Sequence, residues 1–175
     1  EEQYVRAVPG GVGYAKAAGN YGAAMYATAE AKKKGYDQVL WTDAFEHKYV
    51  QEVGAMNIMF IIGDTIITPD LTDGTILNGI TRMSLLDIFK DKGYKVEERR
   101  ISIDELVAAY EAGQLKEVFG CGTAATISHV KELKYKDLVM EFDVDTMKIS
   151  ADMKKYLLDY KENLHGDPYG WLERV

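Results

Sequence analysis

Lys16 lies in a run of small residues, 10–22, and is the only cation between Arg6 and Lys32. A lysine with small and apolar neighbours loses hydration, and desolvation lowers the pKa of its ammonium group. The neutral amine is the form that attacks a carbonyl carbon to make a Schiff base. The window therefore predicts a lysine nucleophile for an aldehyde cofactor, although a flexible glycine-rich loop that happens to carry a lysine explains it equally well.

A second candidate group is Glu52, which lies in the mostly uncharged stretch 50–57 at the entrance to an apolar strand. A carboxylate at such a place is costly to bury unless a cation lies beside it. A protonated pyridine nitrogen is one such cation, and the ion pair would keep the ring able to accept electrons. The alternative interpretation is a glutamate at the exposed edge of a strand.

Two further segments have the composition of anion-binding sites. The first, 79–82, opens a helix, and the free N–H groups of a helix start bind phosphate. The second, 120–124, is a turn whose backbone N–H groups could surround an anion. Taken alone, each segment is more simply an ordinary turn. Neither matches a P-loop, and the glycines at 11 and 13 do not extend into a dinucleotide-binding fingerprint.

The elements that must position these groups follow from hydrophobic periodicity and from capping signals. Helices are expected from Asn20, as N-cap, to Lys34, from Ile80 to Gly93, from a capping box at Ser102 to Gly113, and from Ser150 to Gly166. Strands are expected at 3–8, 38–42, 49–54, 94–101, 118–119 and 126–127, with hairpins joining 57–62 to 65–68 and 133–135 to 138–142. Because hairpins alternate irregularly with helices, the sequence predicts an α+β (mixed α/β) domain: a curved mixed sheet or pseudo-barrel surrounded by helices.

The composition excludes several classes of function. The 175 residues carry a formal net charge of −7, and the only basic run is 32–34, so no nucleic-acid partner is expected. No apolar run approaches the roughly 20 residues of a membrane span. The single cysteine, Cys121, predicts a reducing, cytoplasmic location. His47, His129 and His165 do not cluster with other ligands at metal spacing, so we expect no metal.

Four motifs occur together and in order: Gly13-x-x-Lys16-x-x-Gly19-Asn20-Tyr21, Glu52-Val53-Gly54-x-Met56-Asn57, Gly79-Ile80-Thr81-Arg82 and Phe119-Gly120-x-Gly122-Thr123-Ala124. This set resembles the C-terminal, cofactor-binding domain of the branched-chain amino-acid aminotransferases, pyridoxal-phosphate enzymes of fold type IV. The resemblance covers essentially the whole chain, 1–175, as a single domain. It implies a longer parent protein, with a smaller N-terminal domain that is absent from these residues.

The resemblance implies a role for each matched position. Lys16 would be the catalytic residue, which forms an aldimine with pyridoxal 5'-phosphate and shuttles a proton. Tyr21 would bind the phenolic oxygen of the cofactor and Glu52 its pyridine nitrogen. The phosphate and substrate contacts would come from Gly79, Ile80, Thr81, Gly122 and Thr123 for the cofactor, and from Ala55, Thr123 and Ala124 for the substrate. The implied reaction is ping-pong transamination of leucine, isoleucine and valine with 2-oxoglutarate, in a full-length homodimer.

The chain also departs from the family pattern. Ala55 stands where many relatives have threonine or serine, and Cys121 often replaces a serine. The family's N-terminal domain supplies an arginine to the phosphate and much of the substrate pocket, so we expect this chain alone to bind cofactor weakly and to turn over little.

Other interpretations stay open. An aminodeoxychorismate lyase or a D-amino-acid aminotransferase would share the fold and the lysine, and a non-catalytic domain kept for dimerisation is a third possibility. The run 19–21 favours the branched-chain aminotransferase over the first two. Intact Lys16 and Glu52 argue against the third.

Overall fold

The computed structural model describes residues 1–173, in which helices and strands alternate irregularly. In chain order the elements are α1 (Ala18–Lys33), β1 (Leu40–Thr42), β2 (Val50–Val53), β3 (Met56–Ile62), β4 (Thr65–Thr68), α2 (Ile80–Asp91), β5 (Lys95–Glu98), α3 (Ile103–Glu111), β6 (Leu115–Gly122), β7 (Thr126–His129), β8 (Glu132–Tyr135), β9 (Leu138–Glu141) and α4 (Lys148–Lys161). A 3₁₀ turn, Val144–Thr146, precedes α4. Within the described part of the chain, none of the helices combines the length and the apolar character needed to cross a membrane.

A seven-stranded sheet is built around β3. One edge of β3 pairs with β6, and the other edge is shared by β2 near its start and β4 near its end. β1 continues the sheet beyond β2, β7 beyond β6, and β5 beyond β4. The β4–β5 pair is parallel and the other pairs of this sheet are antiparallel, while β8 and β9 form a separate hairpin. The predicted α+β class with a mixed sheet is confirmed.

The core lies on both faces of β3. Ile58 and Phe60 belong to one cluster of apolar side chains, and Met59 and Ile61 belong to the other. This alternation is the two-residue period of a strand. Helix α3 and the β8–β9 hairpin contribute to the first cluster, and helices α2 and α4 contribute to the second. Because both faces are covered, β3 reads in the sequence as an unbroken apolar run.

Predictions that depend on neighbouring residues agree with the structure. The predicted hairpin is β3–β4, with Gly63 and Asp64 in its turn. Ser102 caps α3, and its side-chain oxygen accepts a hydrogen bond of 3.1 Å from the N–H of Glu105. The strand predicted near 94–101 is β5, which ends the described sheet on one side. Local hydrogen-bonding rules were sufficient for these elements.

The strand predicted at residues 3–8 is wrong. The segment has no regular secondary structure, and the N–H groups of Gln3 and Tyr4 donate to the Glu1 carboxylate instead of to a neighbouring strand. The segment is tied to the fold at Arg6, which is buried and donates to the carbonyl of Thr75. An apolar alternation therefore marked burial here without a strand partner.

The predicted N-cap of α1 is also wrong. The helix begins at Ala18 with Ala17 as its N-cap, so Asn20 lies inside the first turn. The Asn20 amide donates to the carbonyls of Val12 and Ala15, at 2.9 Å each. Asparagine often bonds to nearby backbone in this way, which competes with capping. Here the side chain fastens the glycine-rich loop to the helix.

Helix α4 ends at Lys161, before the predicted stop at Gly166. Its apolar stripe is buried as predicted, at Met153, Leu157 and Tyr160. Leu164 continues the same spacing but lies beyond the helix and is exposed. The apolar period therefore identified the docked face of α4 but placed its end too late.

Candidate active site

The candidate site lies where β2, β3 and β6 run side by side. Glu52 on β2 pairs with Asn57 on β3, and Asn57 pairs on its other edge with Cys121 on β6. Directly paired residues project their side chains to the same face of a sheet. Asn57 precedes Met59 by two residues, so this is the face that α2 covers. The turn 123–125, predicted to bind anions, follows at the same end of β6.

Glu52 has one carboxylate oxygen bound by the protein and one free. The residue is only 4% exposed. Its Oε1 accepts a hydrogen bond of 2.8 Å from the N–H of Leu77 and lies 3.5 Å from the guanidinium of Arg6. Its Oε2 accepts no hydrogen bond from any residue within 1–173. The second oxygen is therefore available to a donor from a ligand.

The electrostatic environment of Glu52 has two opposing parts. Burial raises the pKa of the Glu52 carboxyl, while the Arg6 guanidinium and the Leu77 N–H lower it, and the pKa remains above its ordinary value of 4.5. A further cation at Oε2 would shift the balance towards the ionised form. The site is thus suited to a positively charged group such as a protonated ring nitrogen.

The start of α2 offers backbone donors that the protein does not use for capping. Gly79 is the N-cap and supplies no side chain, and the first turn contains no acidic residue. The first N–H groups of a helix have no partner within the helix, so those of Ile80 and Thr81 can bind an anion. Ile80 is 70% exposed, which leaves this end of the helix accessible.

The β6–β7 turn is open to solvent. Thr123 and Ala124 are exposed, and Gly122 is half-buried at the end of β6. Cys121, by contrast, is fully buried, and burial raises the pKa of its thiol to about 12. The thiol therefore stays protonated within the core, and only the backbone and the Thr123 hydroxyl of this turn can serve a ligand.

A cleft of about 450 Å³ separates α1 from the β2–β3 turn. Tyr21, Glu52 and Ala55 line it, together with Arg6. Its volume falls within the ordinary range of small-molecule sites. Three predicted site residues are thus brought to one cavity.

The structure does not place every predicted residue on this cleft. Lys16, Thr81 and Thr123 are not among the residues that line it. Lys16 lies on the loop that leads into α1, and it is exposed. The expectation that its small neighbours would strip it of water is wrong, because small side chains leave the long lysine chain uncovered.

The sequence reasoning missed two residues, Arg6 and Asn57. Arg6 is a lone cation in an apolar segment, which is a signal for a buried ion pair, but its partner is 46 positions away. Asn57 was matched as part of a motif without a role. Its amide Nδ2 donates a hydrogen bond of 2.8 Å to the carbonyl of Leu77.

No metal centre emerges from the described residues. Within 1–173, no group of three or more histidine, cysteine, aspartate or glutamate side chains is arranged to hold a metal ion. The groups that converge on the site are a carboxylate, a tyrosine and backbone N–H groups. These are donors and acceptors for an organic phosphate ligand.

Comparison of the sequence finds similar proteins. Residues 4–133 match the family described as amino-transferase class IV. A probable branched-chain-amino-acid aminotransferase of Staphylococcus aureus (strain N315) is 58% identical over 137 residues, which are 78% of this chain and 38% of that protein. Branched-chain-amino-acid transaminase 1 of Bacillus subtilis (strain 168) is 46% identical over 176 residues, which cover 100% of this chain and 49% of that protein. This chain spans about half the length of such curated relatives.

Solved structures share the fold. A branched-chain amino acid aminotransferase from T.th., complexed with N-(5'-phosphopyridoxyl)-L-glutamate, has a TM-score of 0.81 and 28% identity, and the match covers 98% of this chain and 53% of that chain. The Escherichia coli branched-chain amino acid aminotransferase has a TM-score of 0.78 and 26% identity, with the same coverage. These findings confirm the resemblance that the four motifs predicted.

Proposed function

This chain belongs to the amino-transferase class IV family, and on that premise we propose that residues 1–175 form the cofactor-binding domain of a pyridoxal-phosphate enzyme. The proposed reaction transfers the amino group of leucine, isoleucine or valine to 2-oxoglutarate by a ping-pong mechanism. The observation that carries the proposal is the Glu52 carboxylate, buried with one oxygen bound and the other free beside the cleft. Relatives named as branched-chain aminotransferases support the substrate class.

The donors of the site fit pyridoxal phosphate. Glu52 Oε2 would accept a hydrogen bond from the ring nitrogen, and Tyr21 would donate to the phenolic oxygen. The phosphate contacts would come from the backbone of Gly79, Ile80 and Thr81, from the Thr81 hydroxyl, and from Gly122 and Thr123. The bound cofactor would supply an electron sink for the carbanion of the substrate.

The residues of the chain would perform the remaining steps. Lys16 Nζ would attach the cofactor through its carbonyl carbon and, once released, would carry a proton between the substrate Cα and the cofactor. The carboxylate of the amino acid would bind at the backbone of Thr123 and Ala124, with Ala55 beside it. Glu52, held ionised by the ring nitrogen and by Arg6, would keep the ring protonated.

Chemical trapping tests the assignment of Lys16. Borohydride converts the linkage between a lysine amine and pyridoxal phosphate into a stable secondary amine, which peptide mass spectrometry can locate even when binding is weak. We expect the label mainly on Lys16 and expect Lys16→Ala to abolish specific labelling. Lys32 lines the same cleft and provides a matched control, since Lys32→Ala should leave the labelling of Lys16 intact. Labelling spread evenly over surface lysines would contradict the proposal.

A substrate assay separates the reaction from those of related enzymes. The 175-residue chain, loaded with pyridoxal phosphate, is mixed with leucine and 2-oxoglutarate, with D-alanine and 2-oxoglutarate, or with aminodeoxychorismate. We expect slow formation of glutamate from leucine alone and its loss in Lys16→Ala. Product from D-alanine or from aminodeoxychorismate would favour the other reactions of this fold.

A further inference from the structure

Leu77 is bound by two side chains that face each other across the β2–β3 pair. Its N–H donates to Glu52 Oε1 and its carbonyl accepts from Asn57 Nδ2, each at 2.8 Å. Glu52 and Asn57 are direct partners in the register of these strands. The two side chains therefore hold opposite sides of one residue and fix the position of Leu77 relative to the sheet.

The same asparagine contacts the start of α2. The N–H of Gly79 donates to the Leu77 carbonyl at 2.9 Å, so this carbonyl receives two hydrogen bonds. A Cβ placed on Gly79 would lie 2.3 Å from Asn57 Oδ1, a distance that real contacts do not reach. Only glycine lets the N-cap of α2 approach Asn57 this closely.

We propose that Asn57 is a positioning residue that sets the separation between the two ends of the cofactor site. It holds residues 77–79 between the Glu52 carboxylate, which faces the ring nitrogen, and the amino terminus of α2, which faces the phosphate. The inference rests on the proposed function for the identity of the ligand. The contacts among Asn57, Leu77 and Gly79 stand without it.

The geometry explains why a rigid connection is useful here. Pyridoxal phosphate is a small, stiff ligand whose ring nitrogen and phosphate must meet their partners at the same time. Binding sites held within about 0.5 Å of the productive geometry are supported by such outer hydrogen bonds. Asn57 itself would not touch the cofactor. It acts through the peptide groups on either side of Leu77.

Ligand binding tests the proposal through a ratio. Affinities of the 175-residue chain for pyridoxal phosphate and for pyridoxal, which lacks the phosphate, are measured by absorbance. In Asn57→Ala we expect the preference for the phosphate form to fall by about tenfold, the effect of one buried hydrogen bond. An unchanged preference would overturn the proposal.

The matched control removes a comparable bond from the same sheet. Thr68 Oγ1 donates a hydrogen bond of 2.7 Å to the Ile58 carbonyl and is buried. Thr68→Val should lower stability without changing the preference for pyridoxal phosphate over pyridoxal. A fall in that preference equal to that of Asn57→Ala would show a general loss of stability and would also overturn the proposal.

Amide hydrogen exchange without any ligand supplies an independent readout. Asn57→Ala should speed exchange at the N–H groups of Leu77 and Gly79 by about tenfold, while residues of β6 away from the site keep their rates. Unchanged exchange at both amides would show that Asn57 does not hold this segment. If the wild-type chain shows no preference for pyridoxal phosphate over pyridoxal, the proposed function fails and Asn57 loses its role at the cofactor, even where the exchange result shows that it holds Leu77.

A double-mutant cycle covers the case in which Asn57→Ala folds poorly. Gly79→Ala forces its Cβ against Asn57 Oδ1 and should weaken phosphate-dependent binding by itself. In the Asn57→Ala background the space is open, so the same change should cost less. Additive effects of the two substitutions would contradict direct contact between these residues.

Discussion

At the scale of single residues, the chain buries a carboxylate that it only partly satisfies. Glu52 is tied to Arg6 and Leu77 through one oxygen, and the other oxygen is left for a ligand. A buried charge without full compensation costs stability, and such sites are usually functional. The sequence pointed to Glu52 through its uncharged neighbours. It could not point to the Arg6 partner, because that contact exists only after the irregular segment 1–17 has folded against the sheet.

The raised pKa of Glu52 predicts a pH dependence of stability. A carboxyl whose pKa is higher in the folded than in the unfolded chain stabilises the fold at low pH, and this contribution is lost as the pH rises through the folded pKa. Glu52→Gln removes the titration. The stability of the variant relative to wild type should therefore increase from about pH 4 to about pH 8, as measured by urea unfolding at each pH. A difference that is flat or that decreases with pH would exclude this role.

Arg6 is predicted to stabilise the ionised form of Glu52. Arg6→Gln leaves the carboxylate buried without its cation, and removing one partner of a buried pair costs about 3 kcal/mol or more. The double variant Arg6→Gln/Glu52→Gln should lose less stability than the sum of the single variants at neutral pH. Arg100→Gln, which breaks an ion pair with Asp73 that is more exposed, provides the control and should cost much less. Additivity of Arg6 and Glu52 would show that the two side chains do not interact.

At the scale of elements, sequence reasoning succeeded where the deciding contacts are local. The Ser102 cap and the β3–β4 hairpin follow from residues within a few positions of one another. It failed where distant residues supply the hydrogen bonds. Helix α4 has Met147 at its N-cap and no capping side chain of its own. Its start is instead capped by Glu117 from β6, whose carboxylate accepts from the N–H groups of Ile149 and Ser150.

The capping of α4 by Glu117 predicts a large effect of one substitution. Its carboxylate accepts hydrogen bonds of 3.0 and 2.8 Å from two N–H groups, and a third of 2.5 Å from the Ser150 hydroxyl. Because these donors are buried or partly buried, Glu117→Ala should lower the free energy of unfolding by about 2–4 kcal/mol in urea titrations. Asp152→Ala, an exposed substitution on the same helix, should change it little. Equal effects of the two variants would exclude the cap.

At the scale of the whole molecule, the chain joins a firmly packed sheet to a loosely packed helix. β3 pairs on both edges and is covered on both faces, whereas α1 buries only Asn20 and Ala27 among its 16 residues. The predicted α+β class and the family resemblance were confirmed. The long-range pairs β3–β6 and β4–β5 could not be read from periodicity, since that signal carries no information about which strands become neighbours.

The weak packing of α1 matters for the site because Tyr21 lies on this helix and Lys16 on the loop before it. Few buried contacts predict a low free energy of local opening. Hydrogen exchange followed by mass spectrometry should therefore show faster exchange in α1 than in β3. If Lys16 and Tyr21 both bind pyridoxal phosphate, the ligand should slow exchange in α1 by up to about a hundredfold when it is present at about a hundred times its Kd. Lys16→Ala should remove most of that protection, while inorganic phosphate alone should give none in α1. Protection confined to the start of α2, with α1 unchanged, would mean that the phosphate binds but that Lys16 and Tyr21 do not reach the cofactor.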